Sequence, residues 1–289
     1  MERANPFLGR WDATIERPGR AFPTWFEIEE GPDGLRGRLV GEVGSARPIE
    51  RFQLEGGRLR FALKPQYEPR KTDLEFVAEA DGGRLRGTFL DNDGSTVAWT
   101  AKRAPDFAGR KVEAWGEPID LIAQGLEAWT ARSPEAPFCW SIQDGMLANS
   151  GVGSDLVTKA RFGDFRLEAE YSYPQGSNSG IYLRGRYEMQ ILDDAGGGNG
   201  VGNSGAIYGF LAPKVNAARP AGEWQRAEIE LVGRTVTIVL NGVTIHDHAE
   251  IPGITGGALE SDEAEPGPLF LQGDHGPVTF RRLVVTPAR

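Results

Sequence analysis

Cysteine occurs once in the 289 residues, at Cys139. No intrachain disulfide can therefore form, and no cysteine cluster can hold a metal. The flanking Phe138 and Trp140 predict a buried thiol. Histidine is nearly as scarce, with His246, His248 and His275 all in the last sixth of the chain. Long apolar runs are missing: none approaches the ~20 residues of a membrane-spanning helix. The opening Met1-Glu2-Arg3-Ala4-Asn5-Pro6 lacks the apolar core of an export signal. The chain is expected to be cytoplasmic as written, or periplasmic or secreted if such a signal has been removed.

Positive charge is in deficit. Lys and Arg total 32 against 41 Asp and Glu, a net charge of −9. That balance disfavours nucleic acid and anionic membranes as partners, because both repel an acidic surface. A neutral partner such as a carbohydrate is unaffected. Helical periodicity is also almost missing, and only Ile119–Trp129 offers a short candidate. In their place stand 39 glycines and 19 prolines without a low-complexity tract. With many short alternating apolar runs, they predict an all-β chain rich in turns.

The chain divides into two expected units, 1–105 and 112–289, joined by the irregular stretch Ala104–Gly116. The first reads as eight strands between Leu8 and Lys102. Gly31-Pro32-Asp33-Gly34, Glu55-Gly56-Gly57, Asp81-Gly82-Gly83 and Asp91-Asn92-Asp93-Gly94 supply hairpin turns that need positive φ. Eight short antiparallel strands suit a small up-and-down barrel, since closure removes exposed edges. The opening Gly9-Arg10-Trp11 resembles the first strand of lipocalin-like barrels. The second unit has longer strands, among them Phe165–Tyr173, Gln225–Leu231 and Thr235–Leu240, and an Asn241-Gly242 hairpin turn. About ten strands there predict a two-sheet sandwich.

Two adjacent strands of the second unit, Gly180–Gly185 and Tyr187–Asp193, carry the most informative pattern. With a period of two, Ile181, Leu183, Tyr187, Met189 and Ile191 face a core. Tyr182, Arg184, Glu188 and Gln190 are expected on the opposite face. A stacking ring beside bidentate donors and acceptors suits sugar hydroxyls. The glycine-rich Asp194–Gly205 stretch is expected to be a mobile rim; it lacks the Gly-Lys-Ser/Thr of a phosphate loop. His246 and His248 should share a strand face, where a divalent cation is conceivable, although no metal site is assigned.

The run Asn178-Ser179-Gly180-Ile181-Tyr182-Leu183-Arg184-Gly185, followed by Tyr187-Glu188-Met189-Gln190-Ile191-Leu192-Asp193, closely resembles the signature of the 3-keto-disaccharide hydrolase family. Further matches follow in order: Gly205–Gly209, Pro220–Trp224, Val239–Val243 and Leu271-Gln272-Gly273-Asp274-His275-Gly276. The resemblance covers about residues 119–286 and implies a concanavalin-like jelly-roll sandwich with its site on the concave sheet. It also implies a reaction. A ketone at C3 of a sugar acidifies the C2 proton; a base removes it, the enolate expels the C1 substituent, and water adds to the enone. Such a site needs a base, an acid and a partner for the C3 oxygen.

On that reading Glu188 is the base or a metal ligand, His275 beside Asp274 the acid/base, and Arg184 and Gln190 partners of the hydroxyls or enolate. Asn178 and Tyr182 would contact substrate. Asp193 would orient Arg184 or touch substrate, and Lys214 and Trp224 would line the rim. Two other readings stand beside it. A conventional laminarinase-like glycosidase would use two strand carboxylates in a Glu-x-Asp-x-x-Glu pattern; here the middle position is Gln190 and the last Asp193. A lectin-like module would bind sugar without cleaving it.

Overall fold

Alternation of apolar and polar residues sets the first unit. Leu59 and Phe61 on one strand, and Leu74, Phe76 and Ala78 on the next, are buried, while Arg58, Arg60 and Glu75 between them are exposed. A computed structural model describes residues 5–289; Met1–Ala4, part of the stretch read for an export signal, lie outside it. The first unit has β1 (Gly9–Arg17), β2 (Arg20–Gly31), β3 (Gly34–Val40), β4 (Arg47–Pro48), β5 (Arg51–Glu55), β6 (Arg58–Leu63), β7 (Leu74–Asp81), β8 (Arg84–Leu90) and β9 (Thr96–Arg103). They form one antiparallel sheet in the order β4-β3-β2-β1-β9-β8-β7-β6-β5.

The two ends of that order meet in sequence. Only Ile49 and Glu50 separate β4 from β5; Ile49 N–H donates to the Gly37 carbonyl of β3, and Glu50 N–H to the Ala62 carbonyl of β6. This link turns the meander into a small barrel. Inside it Phe61 and Phe76 stack with centroids 5.0 Å apart, and Phe76 meets Phe89 at 4.6 Å.

A later segment, Gly253–Ala264, belongs to this first unit, although the sequence boundaries leave it in the second. Gly257 N–H donates to the Glu42 carbonyl at 2.8 Å, and Glu263 N–H to the Asp12 carboxylate at 3.2 Å. Gly253 lies so close to the Trp25 ring that a Cβ there would overlap it.

The second unit, Phe107–Pro252 with Glu265–Arg289, has two sheets. Its strands are β10 (Ile119–Asp120), β11 (Trp129–Ala131), β12 (Trp140–Gln143), β13 (Met146–Asn149), β14 (Leu156–Thr158), β15 (Phe165–Ser172), β16 (Asn178–Leu183), β17 (Tyr187–Leu192), β18 (Gln225–Val232), β19 (Thr235–Leu240), β20 (Val243–Glu250), β21 (Phe270–Leu271) and β22 (Val278–Pro287). One sheet runs β12-β13-β22-β15-β18-β19-β20, with β10 on β22; the other runs β11-β14-β21-β16-β17. Ile181, Leu183, Met189 and Ile191 of the second sheet, and Leu167, Ala169, Ile229 and Ile238 of the first, are buried.

Two local expectations fail. Ile119–Trp129 is not a helix: β10 is followed by turns and a single 3-10 turn at Leu126–Ala128. Gly125, at φ 77°, takes a left-handed conformation that interrupts helix, and Leu121, Ile122 and Trp129 are buried individually. Cys139 is half-buried, because Phe138 points outward at 52% exposure and the thiol sits 3.8 Å from the Val152 carbonyl.

Candidate functional site

The site grows from strand register. β16 and β17 pair so that Tyr182 lies opposite Glu188 and Gly180 opposite Gln190. On the other edge of β16, Phe270 of β21 lies opposite Tyr182, and Gln272 N–H donates to the Gly180 carbonyl at 3.0 Å. The Tyr182 and Phe270 rings stack at 4.1 Å, and the Arg132 guanidinium lies 5.0 Å over the Phe270 ring. Asp155, just ahead of β14, receives the Gly273 N–H at 2.8 Å and an Arg132 guanidinium N–H at 3.3 Å. One face of the five-stranded sheet thus gathers Arg132, Asp155, Tyr182, Glu188, Gln190 and Gln272.

Glu188 is the centre of this face. Its carboxylate accepts the Tyr182 hydroxyl at 2.9 Å, while its other oxygen lies over Gly180. A Cβ at residue 180 would come within 2.5 Å of that oxygen, so glycine there makes room for the carboxyl. Glu188 is only 4% exposed. Burial pushes its pKa up to about 8, opposed by the Tyr182 hydrogen bond and the His275 charge and aided by Asp274 and Asp155. Asp155 is also raised, mainly by burial. Tyr182→Phe removes a bond that favours the ionised carboxylate, so Glu188 is expected to titrate above 8 in that variant. NMR of the labelled carboxyl carbon against pH checks this, and an unmoved or lower midpoint would contradict the assigned contact.

His275 stands at the edge, half-exposed, its Nδ1 hydrogen-bonded to the Asp274 carboxylate. That bond, more than the desolvation opposing it, raises the imidazole pKa above its usual value, with the charges of Asp274, Glu188 and Asp155 adding to it. The loop carrying the pair is braced on both sides. Asn149 donates to the Gly273 and Gly276 carbonyls at 3.2 and 3.0 Å, and the Ser177 hydroxyl to the Pro277 carbonyl at 2.6 Å. Asn178 accepts from the Gln190 amide at 3.2 Å and so extends the same face.

Arg184 does not belong to it. β16 ends at Leu183, and Arg184 takes a left-handed φ of 53° in the three-residue turn before Tyr187. Alternation therefore stops one residue too early to set Arg184 beside Tyr182. Its guanidinium is buried on the core side, donating to the Tyr187 hydroxyl at 3.1 Å and the Gly233 carbonyl at 2.5 Å. Asp193 does not orient Arg184: its carboxylate accepts the Gly176 N–H at 2.8 Å and holds the preceding turn. Trp224 lies next to β18 of the other sheet with the Arg281 guanidinium 4.3 Å over its ring. Lys214 is exposed and 3.8 Å from Asp247.

The two histidines of β20 also part. A register shift against β19 leaves His246 buried with Nε2 on the Gly205 carbonyl at 2.8 Å, and its pKa lowered by burial. His248 is exposed and pairs with Asp247. Among the described residues, no three His, Cys, Asp or Glu side chains converge in a way that could hold a metal ion. The glycine-rich stretch after Asp194 is cross-braced rather than loose. The Asp194 carboxylate accepts from Asn203 and from Ser204 N–H at 2.8 and 3.0 Å, and Asn216 donates to the Asp194 and Gly198 carbonyls.

Arg132, Asp155 and Phe270 escaped the sequence reading, and Gln272 was seen only as part of a motif. Each comes from a strand of two or three residues or its edge, too short for alternation to show. The comparison that decides the family is with a domain described as 3-keto-alpha-glucoside-1,2-lyase-like, whose family model matches residues 117–286. The chain belongs to that family. The resemblance read from the sequence is thereby borne out, and in this lyase-like domain its motifs at 178–193 and 271–276 are the segments that build the Glu188 face.

A 3-keto-disaccharide hydrolase of Bacteroides thetaiotaomicron is 27% identical over 161 residues, which are 43% and 56% of the two chains. The chain thus spans about half the length of the curated relative it matches. Two crystal structures of candidate glycosyl hydrolases from Parabacteroides distasonis are also similar. The first is 31% identical with a TM-score of 0.49, covering 58% of this chain and 82% of that one. The second is 25% identical with a TM-score of 0.46, covering 59% and 98%.

Proposed function

We propose that the chain cleaves glycosidic bonds, and that its substrates are 3-keto-glycosides opened by elimination and then hydration. Membership of the lyase-like family and the similarity to a named 3-keto-disaccharide hydrolase support the substrate class. The observation that carries the mechanism is the Glu188 carboxyl, buried and raised to about 8. A carboxylate made this basic is suited to taking a C–H proton activated by a neighbouring ketone. Glu188 takes the C2 proton, and the electron pair runs into the C3 carbonyl to give an enolate. The enolate re-forms the ketone as the C1–O bond breaks, and the leaving oxygen receives a proton from the imidazolium of His275. Water then adds at C1 of the enone and restores the proton at C2.

The rest of the face fits the same reading. Gln190 and Gln272 offer amides for sugar hydroxyls, and the buried Gln272 Oε1 has no hydrogen-bond partner among the described residues. A buried acceptor of that kind is normally satisfied, and a substrate hydroxyl is the group this site would take. The Tyr182 and Phe270 rings, stacked and buried, brace the strands that carry these groups. The strand pattern of a laminarinase-like double-displacement glycosidase would need a second carboxylate at the end of β17 itself, whereas Asp193 is turned away onto Gly176.

The test compares a 3-keto-disaccharide with its unoxidised parent. Monosaccharide release is expected at least ~1000-fold faster from the keto form, since only there is the C2 proton acidified. Equal rates would defeat the elimination mechanism. Saturable binding of both sugars with turnover of neither would make the sandwich a binding module.

A further inference from the structure

The first unit has a concavity of its own, independent of the sugar chemistry. Its barrel is filled at one end, where Trp11, Leu59, Ala78 and Leu85 are buried and the Trp11 indole N–H donates to the Phe7 carbonyl at 2.9 Å. At the other end, where β1 and β3 finish and β2 and β7 begin, the strands enclose a cavity of about 280 Å³. Its wall is made by Ile15, Phe22, Leu39, Leu74, Phe76 and Phe89. Protein interiors normally leave few voids larger than a water molecule. An apolar cavity of ~150 Å³ already holds benzene, so this chamber has room for a second ring.

The rim defines the ligand's charge. Arg17 pairs with Asp91 at 2.6 Å and with Glu42 at 2.7 Å, and Glu68 pairs with Arg47 at 2.7 Å. Each charged residue of the lining thus already has a partner of opposite sign. A ligand carboxylate or ammonium would have to displace one of these pairs, at the cost of desolvating what it leaves behind. Polar options for a neutral ligand are few. The Thr24 hydroxyl is committed to the Val40 carbonyl, which leaves the Asn92 amide, in the turn after β8, as the lining's one amide. Val43 and Tyr67, 46% and 62% exposed, form an apolar lip beside it.

We propose that this end of the barrel binds a small uncharged molecule of one or two rings bearing a hydroxyl, with the rings in the chamber and the hydroxyl at the Asn92 rim. The probe is 2-naphthol, titrated into the full chain and followed by its fluorescence anisotropy. Saturable one-to-one binding with Kd on the order of 100 µM is expected for a ligand of this size. The carboxylate analogue 2-naphthoate should bind roughly tenfold or more weakly. Leu39→Trp and Leu74→Trp each place a ring in the chamber and should weaken 2-naphthol by roughly tenfold or more in chains that keep the wild-type circular dichroism.

Hydrogen exchange of the wild-type chain keeps the test decisive if a variant fails to fold: 2-naphthol should slow exchange in residues 15–24 and 67–76. Four results would each overturn the assignment. They are no saturation, naphthoate binding as tightly as naphthol, binding indifferent to both folded variants, and protection confined to residues 178–192.

Discussion

Glu188→Gln is expected to lower kcat/KM on a 3-keto-disaccharide by about a thousandfold, the usual worth of a positioned general base, and to leave the protein more stable than before. Glutamine keeps the shape and can still accept the Tyr182 hydroxyl, but it cannot take a proton from carbon. The gain in stability follows from linkage. The carboxyl titrates near 4.5 in the unfolded chain and near 8 in the folded one. Below pH 4.5 both states hold the proton and burial of the group costs nothing extra. Between 4.5 and 8 the unfolded chain releases it while the folded chain keeps it, and stability falls by about 1.4 kcal/mol per pH unit. Above 8 the whole difference, up to about 5 kcal/mol, is lost.

The glutamine variant carries no such cost. Its advantage in urea unfolding should therefore be near zero at pH 4 and grow up to pH 8. A variant that loses activity while also losing stability at pH 8 would mean that Glu188 holds the sheet together rather than acting on a substrate.

Arg184→Ala is expected to have the opposite signature, a large loss of stability with chemistry largely preserved. Its buried guanidinium bridges the Tyr187 hydroxyl and the Gly233 carbonyl, with the Phe107 and Tyr187 rings 5.6 and 5.3 Å away. Removing it takes a hydrogen-bond donor from both acceptors and leaves a gap where the guanidinium was buried. Losses of this kind run to about 3–5 kcal/mol, which for a chain of this size lowers Tm by roughly 10 °C. At a temperature where the variant is folded, kcat/KM should stay within about tenfold of wild type. A thousandfold loss from a variant with an unchanged Tm would return Arg184 to the reacting centre.

The contrast between Glu188 and Arg184 shows how far sequence carries. Within β16 and β17 a period of two was enough to set Tyr182, Glu188 and Gln190 on one face, because both strands are six residues long. It failed one residue beyond β16, where the left-handed backbone of Arg184 reverses the direction of the side chain. Turn glycines announced the barrel hairpins, yet nothing local separated Arg47–Pro48 from the strand that follows it, since the one pairs with β3 and the other with β6. Asp155 and Arg132 reach the site through a pairing between segments more than twenty residues apart, and Phe270 through one that spans nearly ninety. Such register is a property of the folded sheets, and the chain on its own has no local signal for it. His246 and His248 illustrate the reverse case, a plausible spacing undone by a bulge.

The grouping of Gly253–Ala264 with the barrel bears on how the protein is made. Synthesis runs from the N-terminus, and residues 1–106 emerge long before the twelve residues that complete their unit. Until residue 264 has left the ribosome, the Glu42 carbonyl and the Asp12 carboxylate lack the backbone partners this segment supplies, and Trp25 lacks the glycine that lies against it. The earlier of the two units is therefore completed only when the later one is almost made, through contacts of very high sequence separation that form slowly. Gene fragments cut at residue 106 would yield a barrel without its closing segment and a sandwich carrying a stretch that belongs elsewhere, so the two units are interlaced in time as well as in sequence.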